Sequence, residues 1–274
     1  MTTNTKQDVQ DVFEPLVEEG EAELQRSALD ISISGLVAGL DIGFGPLALA
    51  VVAGRLHAAF HMSLPTAIFL GGFLYPLGFI VVILGKSELF TENTLTPVAG
   101  LLAGEGTLGK LAQRWALVLA SNVVGTVIFA LFIAHTAVVF DPYKAVYREL
   151  GRSFVGHSFL QAALAGVLGG WLVALTSWLL KAVQGGAAHL LIIYIITYLL
   201  VGLQLYHCII GSIEVLLAMF AGAPITWLSW LTAFLIPAVI GNAIGGVTFV
   251  TGLRGIQARS GSDEGREARG ERRQ

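Results

Sequence analysis

Charge is what this chain has least of: 13% of its 274 residues are Asp, Glu, Lys or Arg, against 55% hydrophobic. A soluble domain carries about 25% charged residues, so the composition excludes an ordinary soluble fold and marks an integral membrane protein. Cysteine is almost missing as well, and the lone Cys208 excludes an internal disulfide and any multi-cysteine metal site. No pair among the six histidines has metal-ligand spacing with an accompanying carboxylate, and no metal or other cofactor is expected. There is no Gly-x-Gly-x-x-Gly followed by an acid, no phosphate loop and no nucleophile elbow, so the chain does not read as an enzyme. The Arg-rich C-terminal end has no aromatic platform and is interleaved with Glu, which argues against a nucleic-acid partner. The first 29 residues are polar and lack the basic, apolar and small-residue order of a cleavable signal.

Apolar runs are plentiful, and so is glycine, with 33 residues, as suits helices that approach closely in lipid. Crossing a bilayer takes about 20 apolar residues. Six regions qualify: 30–54, 66–84 continuing as 94–104, 113–138, 158–181, 187–206 continuing as 213–222, and 227–253. The expected organisation is an N-terminal segment 1–27, a transmembrane domain 28–253 and a basic tail 254–274 of disordered composition. In the first segment Val12, Phe13, Leu16, Val17 and Leu24 recur at helical spacing among seven acids, which predicts an amphipathic helix lying on the membrane domain. With both termini cytoplasmic, the inner segments hold eleven Lys and Arg and the outer ones four, Lys86 apart. That asymmetry sets the expected orientation.

The second and fifth spans are each an apolar half-helix, a polar or glycine-marked break, and a short second piece. Gly85-Lys86-Ser87-Glu88-Leu89-Phe90-Thr91-Glu92-Asn93 is the first break, and Tyr206 to Ser212, followed by Glu214, is the second. Two breaks at corresponding places predict an inverted three-plus-three repeat whose breaks meet near the bilayer midplane. The alternative is a pair of slightly long helices kinked at glycine.

These residues carry a resemblance. Gly71-Gly72, Gly78 and Glu88-Leu89-Phe90-Thr91 with Asn93 resemble the second-span signature of the formate/nitrite transporter family. Trp115, Ser121-Asn122 and Gly125 resemble its third span, and Ile236-Pro237 with Gly241 to Gly246 its sixth. His207 falls where the family has its central histidine. The resemblance covers about residues 30–253. It implies an all-α, aquaporin-like protomer of six transmembrane helices with helices 2 and 5 broken, assembled as a homopentamer in the bacterial inner membrane with one pore per protomer. Tyr75, Phe79, Val173 and Leu200 are then placed at two apolar slits either side of His207, with Leu89 and Phe90 of the signature in the same constriction. Departures resemble the family's divergent YfdC-like branch. Tyr206 stands for the usual acid before the histidine, Gly169-Gly170 for a fourth-span Asn, Phe154 for an outer lysine, and Lys86 for a small residue.

A lysine at membrane depth costs about 2.5–3.5 kcal/mol, so it is normally paired or wet. For Lys86 two readings stay open: an ion pair with Glu88, Asp41 or Glu214 that holds the loop shut, or an ammonium facing the pore that attracts anions. His207 could exchange a proton with a weak acid, since imidazole ordinarily titrates near 6.5, or could simply bond the opposite loop, for which Thr91 is the natural partner. The candidate pore residues are therefore Lys86, Glu88, Thr91, Asn93 and His207. The expected function is a passive or proton-coupled pathway for small monovalent anions or their conjugate acids. A neutral-solute channel of the water or ammonia kind and a non-transporting membrane component are the alternatives.

Overall fold

The computed structural model describes residues 9–257, and every regular element among them is helical. The chain opens with α1 (Val9–Gln25). Its apolar side chains Val12, Phe13 and Leu16 are buried against Leu95, Ala99, Ala174, Trp178 and Val250, while most of its acids point away. Ser27 caps α2 (Ala28–Asp41) by accepting from the Asp30 amide at 3.2 Å, and α3 (Phe44–Phe60) follows. Together they form an apolar run of 33 residues. Next come α4 (Leu64–Gly71) and α5 (Pro76–Leu84), an irregular segment, and α6 (Thr96–Leu102).

Then α7 (Leu108–Ala134) follows, and α8 (Lys144–Val155) packs mainly on the later segment Ile210–Phe220 and touches α3 and α4. Ser158 caps α9 (Phe159–Ala182) with a reciprocal Gln161 bond. The sequence continues through α10 (Gly186–Gly202), a second irregular segment, and α11 (Ile210–Phe220). The last apolar run, Trp227–Gln257, contains α12 (Ile236–Ile244) between wide π-type turns at Trp230–Leu235 and Gly245–Gly252.

Five helical runs among the described residues have the length and composition to cross a membrane. The fifth of the six expected regions is not one of them, because Leu203–Ile209 divides it into pieces of 17 and 11 residues, each shorter than a span. Leu29, Ile33, Leu160 and Leu228 stand more than half exposed on the outside, a surface that only lipid or another chain would cover. Helices α2 and α7 pack closely, as do α9 and α12. Glycine permits this: a Cβ on Gly125 of α7 would lie 2.5 Å from the Leu36 carbonyl oxygen and 2.9 Å from Gly39 Cα. The basic tail beyond Gln257 and the first eight residues lie outside the described residues.

Candidate permeation site

The two irregular segments meet at the centre. Thr91 Oγ1 lies 2.9 Å from His207 Nε2, and both residues are buried, His207 to 1% exposure. The amides of Ile209 and Ile210 approach His207 Nδ1 at 3.3 and 3.4 Å. An N–H can only donate, so Nδ1 is the acceptor and the ring proton sits on Nε2, donated to Thr91. The Phe79 ring meets the imidazole edge to face at 5.2 Å, and Tyr75 lies 6.3 Å beyond Phe79. Tyr75, Phe79, Leu89, Phe90, Val173 and Leu200 are all within 4% of full burial.

Each segment is held by one asparagine in the same way. Asn122 of α7 accepts from the Phe90 amide at 2.9 Å and donates to the carbonyls of Glu88 at 2.9 Å and Gly35 at 2.7 Å. Asn242 of α12 accepts from the Cys208 amide at 2.8 Å and donates to the carbonyls of Tyr206 and Gly166, both at 2.8 Å. Glu88 and Phe90 thus correspond to Tyr206 and Cys208, 118 positions further along. The same spacing relates the left-handed residues Lys86 (φ 60) and Gln204 (φ 51), and Gly104 (φ 98) and Gly222 (φ 88). It also relates the ends of α5 and α10, and of α6 and α11. From α1 and α2 to α8 and α9 the spacing is 131: Ser27 and Ser158 cap equivalent helices, and Gly35 and Gly166 take equivalent bonds; from α7 to α12 it is 120, as for Asn122 and Asn242. Satisfying every polar group of a buried loop leaves little freedom in its position.

Around these matched backbones the side chains differ. Glu88, 8% exposed, receives Arg114 Nη2 at 2.9 Å, Asn93 Nδ2 at 2.8 Å and Arg26 Nη1. Arg114 also donates from Nε to Asn93 Oδ1 at 2.6 Å and from Nη1 to the Glu23 carbonyl, and pairs with Glu23 Oε2 at 3.4 Å. Burial, with the charge of Glu88 added, outweighs Arg114 and pushes the Glu23 carboxyl up to about 8. At the equivalent place, Tyr206 donates its hydroxyl to the Phe154 carbonyl at 2.6 Å, meets His157 Nδ1 at 3.0 Å, and packs its ring 5.4 Å from Phe234. The four members correspond one to one: Glu23 with Phe154, Arg26 with His157, Glu88 with Tyr206, and Arg114 with Phe234.

Beside the charged cluster is a cavity of about 460 Å³ lined by Glu19, Arg26, Lys86, Glu88, Lys181 and His189 among others. Lys86 is exposed there, in a left-handed turn. Among the described residues it makes no ion pair with Glu88, Asp41 or Glu214. Glu88 is taken by the two arginines. The Glu214 carboxylate accepts from the Tyr75 hydroxyl at 3.4 Å, and Asp41 lies at the end of α2, half-buried. From sequence alone Arg26 and Arg114 read only as topological charges. The signal for Arg114 was its position one residue before Trp115, at the start of an apolar run where an unpaired guanidinium is costly.

A helical chain whose apolar spans enclose two such loops is a polytopic membrane protein. The model for formate/nitrite transporters matches residues 10–255, and the chain belongs to that family. It is 29% identical over 244 residues to the inner membrane protein YfdC of Escherichia coli (strain K12), covering 88% of this chain and 76% of that one. The uncharacterized transporter YrhG of Bacillus subtilis (strain 168) is 28% identical, with 88% and 89% covered. Among solved structures, an FNT family ion channel superposes with TM-score 0.79 at 22% identity over 90% of this chain and 98% of that one. A pentameric formate channel with formate bound gives 0.69 at 22% identity over 81% and 94%.

Proposed function

We propose that the chain is a channel or proton-coupled transporter for small monovalent anions or their conjugate weak acids, with its path running past Thr91 and His207. The observation that carries this is the Thr91–His207 contact, sealed between two identically clamped loops. With Nε2–H donated to Thr91, the threonine keeps its own hydroxyl hydrogen for a permeant carboxylate or similar ion. An anion leaving the 460 Å³ cavity for walls of Phe79, Tyr75, Val173 and Leu200 faces a steep desolvation cost, and a proton drawn from the aqueous side and gained beside the imidazole removes most of it. Lys86, Glu88 and Asn93 form the cavity end of this path, where the Lys86 ammonium, without an ion pair among the described residues, raises local anion concentration.

The recurrent contacts, 118, 120 and 131 residues apart, support an inverted three-plus-three repeat with six crossings and with the second and fifth interrupted at Lys86–Thr91 and Gln204–Ile209. The likeness to a pentameric formate channel supports a homopentamer, and the name of the Escherichia coli relative an inner-membrane setting. Both termini are assigned to the cytoplasm by the distribution of Lys and Arg.

Reconstitution in liposomes tests the reading with formate, acetate, lactate, nitrite, chloride and hydrosulfide, each with and without a proton gradient. Uptake of at least one of these anions, with a pH profile altered by His207→Asn, is expected. Solute-driven swelling without anion uptake would establish a neutral-solute channel instead, and an unchanged profile in His207→Asn would exclude the histidine as proton relay.

A further inference from the structure

The half of the path away from the cavity carries a polar pair that the other half lacks. Gly20 of α1 abuts Thr96 and Gly100, and Gly151 of α8 abuts Glu214 and Ala218, so the 118-residue register makes Glu214 the counterpart of Thr96. The same register sets Tyr75 against Ile193. Thr96 lines the cavity and Ile193 is fully buried, which shows that the scaffold accepts a threonine and an aliphatic side chain at these places. Packing demands neither a carboxyl nor a phenol.

Glu214 is nonetheless 2% exposed and Tyr75 4% exposed. Among the described residues no Lys, Arg or His pairs with Glu214. Its carboxylate takes the Tyr75 hydroxyl at 3.4 Å. A buried carboxyl without a cation is expensive at membrane depth, and a buried phenol needs a partner. The Tyr75 ring leans on Phe79, which abuts His207.

We propose that Glu214 is a positioning residue of the permeation path: by holding the Tyr75 hydroxyl it fixes the Tyr75 ring as a wall of the constriction beside Phe79 and His207, and so sets the width of the anion admitted. This rests on the reading that the path passes His207. The two residues act as one unit, so their substitutions should not add.

The test is the ratio of lactate to formate flux in liposomes. Tyr75→Phe and Glu214→Leu should each raise it several-fold, the double variant no further than the larger single one, and Glu214→Gln, whose amide oxygen still accepts, should keep the wild-type ratio. An unchanged ratio in either single variant, or additive effects, would overturn the inference. A second readout needs no transport: the infrared carboxyl band that disappears in Glu214→Gln should shift in Tyr75→Phe, and an unshifted band overturns the contact itself. A band that shifts in Tyr75→Phe, together with a wild-type protein that carries no anion at all, would overturn the proposed path, and the width-setting role with it.

Discussion

The segments Lys86–Thr91 and Gln204–Ile209 have the same backbone, the same asparagine clamp and the same left-handed entry, yet their surroundings are chemically opposite. Around Glu88 two arginines, an asparagine and a glutamate form a buried charge network. Around Tyr206 two phenylalanines, a histidine and one carbonyl take those places. A duplicated scaffold thus needs the asparagine and the close glycine contacts to build a loop at membrane depth, and the four flanking positions are free to vary. The first cluster carries fixed charge beside a cavity; the second carries aromatic surface and the imidazole of His157.

The largest effect that would test this contrast comes from removing the charge at the heart of the first cluster. Arg114, 2% exposed, holds Glu88, Asn93 and Glu23, and Arg114→Leu leaves Glu23 and Asn93 without their cation and Glu88 with Arg26 alone. A loss of about 3–5 kcal/mol is expected, read as a lowered thermal midpoint in detergent. The counterpart Phe234→Leu only trades one apolar side chain for another and should cost about 1 kcal/mol. Equal losses would mean that the two clusters do the same structural job.

The clamps should respond alike where the clusters do not. Asn122→Ala and Asn242→Ala each strand one buried amide and two carbonyls, at about 2 kcal/mol apiece. Urea unfolding in mixed micelles compares them, and a clear difference would break the equivalence of the halves.

Much of this architecture can be read from the chain because lipid imposes strict patterns. Apolar runs of bilayer length, Gly85 to Asn93 interrupting one of them, and the Tyr206–Ser212 break are all visible as composition, and the Thr91–His207 pairing follows from placing the breaks face to face. The partners of Glu88 were not visible in this way. Arg26 lies just before the first span and Arg114 at the start of the third, 62 and 26 positions from Glu88, and no local periodicity links such positions. Lys86 is the cation nearest Glu88 in sequence, but its left-handed backbone turns it to the cavity while the arginines take the carboxylate. The correspondence of Arg114 with Phe234 leaves no trace in residue type. It emerges only when both loops are seen in the grip of their asparagines.

A smaller difference is expected between the two left-handed entry residues. Lys86→Met should lower anion uptake several-fold at low ionic strength, with the deficit fading as salt rises, because an exposed charge acts over a screening length of only about 10 Å at 0.1 M. Gln204→Met carries no charge to lose and should leave uptake nearly unchanged. Equal responses to both substitutions, or a Lys86→Met deficit indifferent to salt, would show that the lysine matters for loop shape rather than for charge.

The smallest effect separates α1 from α8, the helices that cover the two clusters. Glu23 on α1 has its carboxyl raised from an ordinary value of 4.5 to about 8, first by burial and then by the nearby Glu88. Between those values docked α1 keeps a proton on Glu23 that a released α1 would give up. Docking is therefore at full strength below the ordinary value and weakens as pH rises through about 8. Amide exchange in residues 9–25 should quicken over that interval beyond the intrinsic base-catalysed trend, and Glu23→Gln should flatten the excess. Helix α8 carries Phe154 at the equivalent position and its own Glu149 is exposed, so its exchange should lack the excess tied to Glu23; a matching excess in α8 would place the pH response outside the Glu23–Arg114–Glu88 cluster.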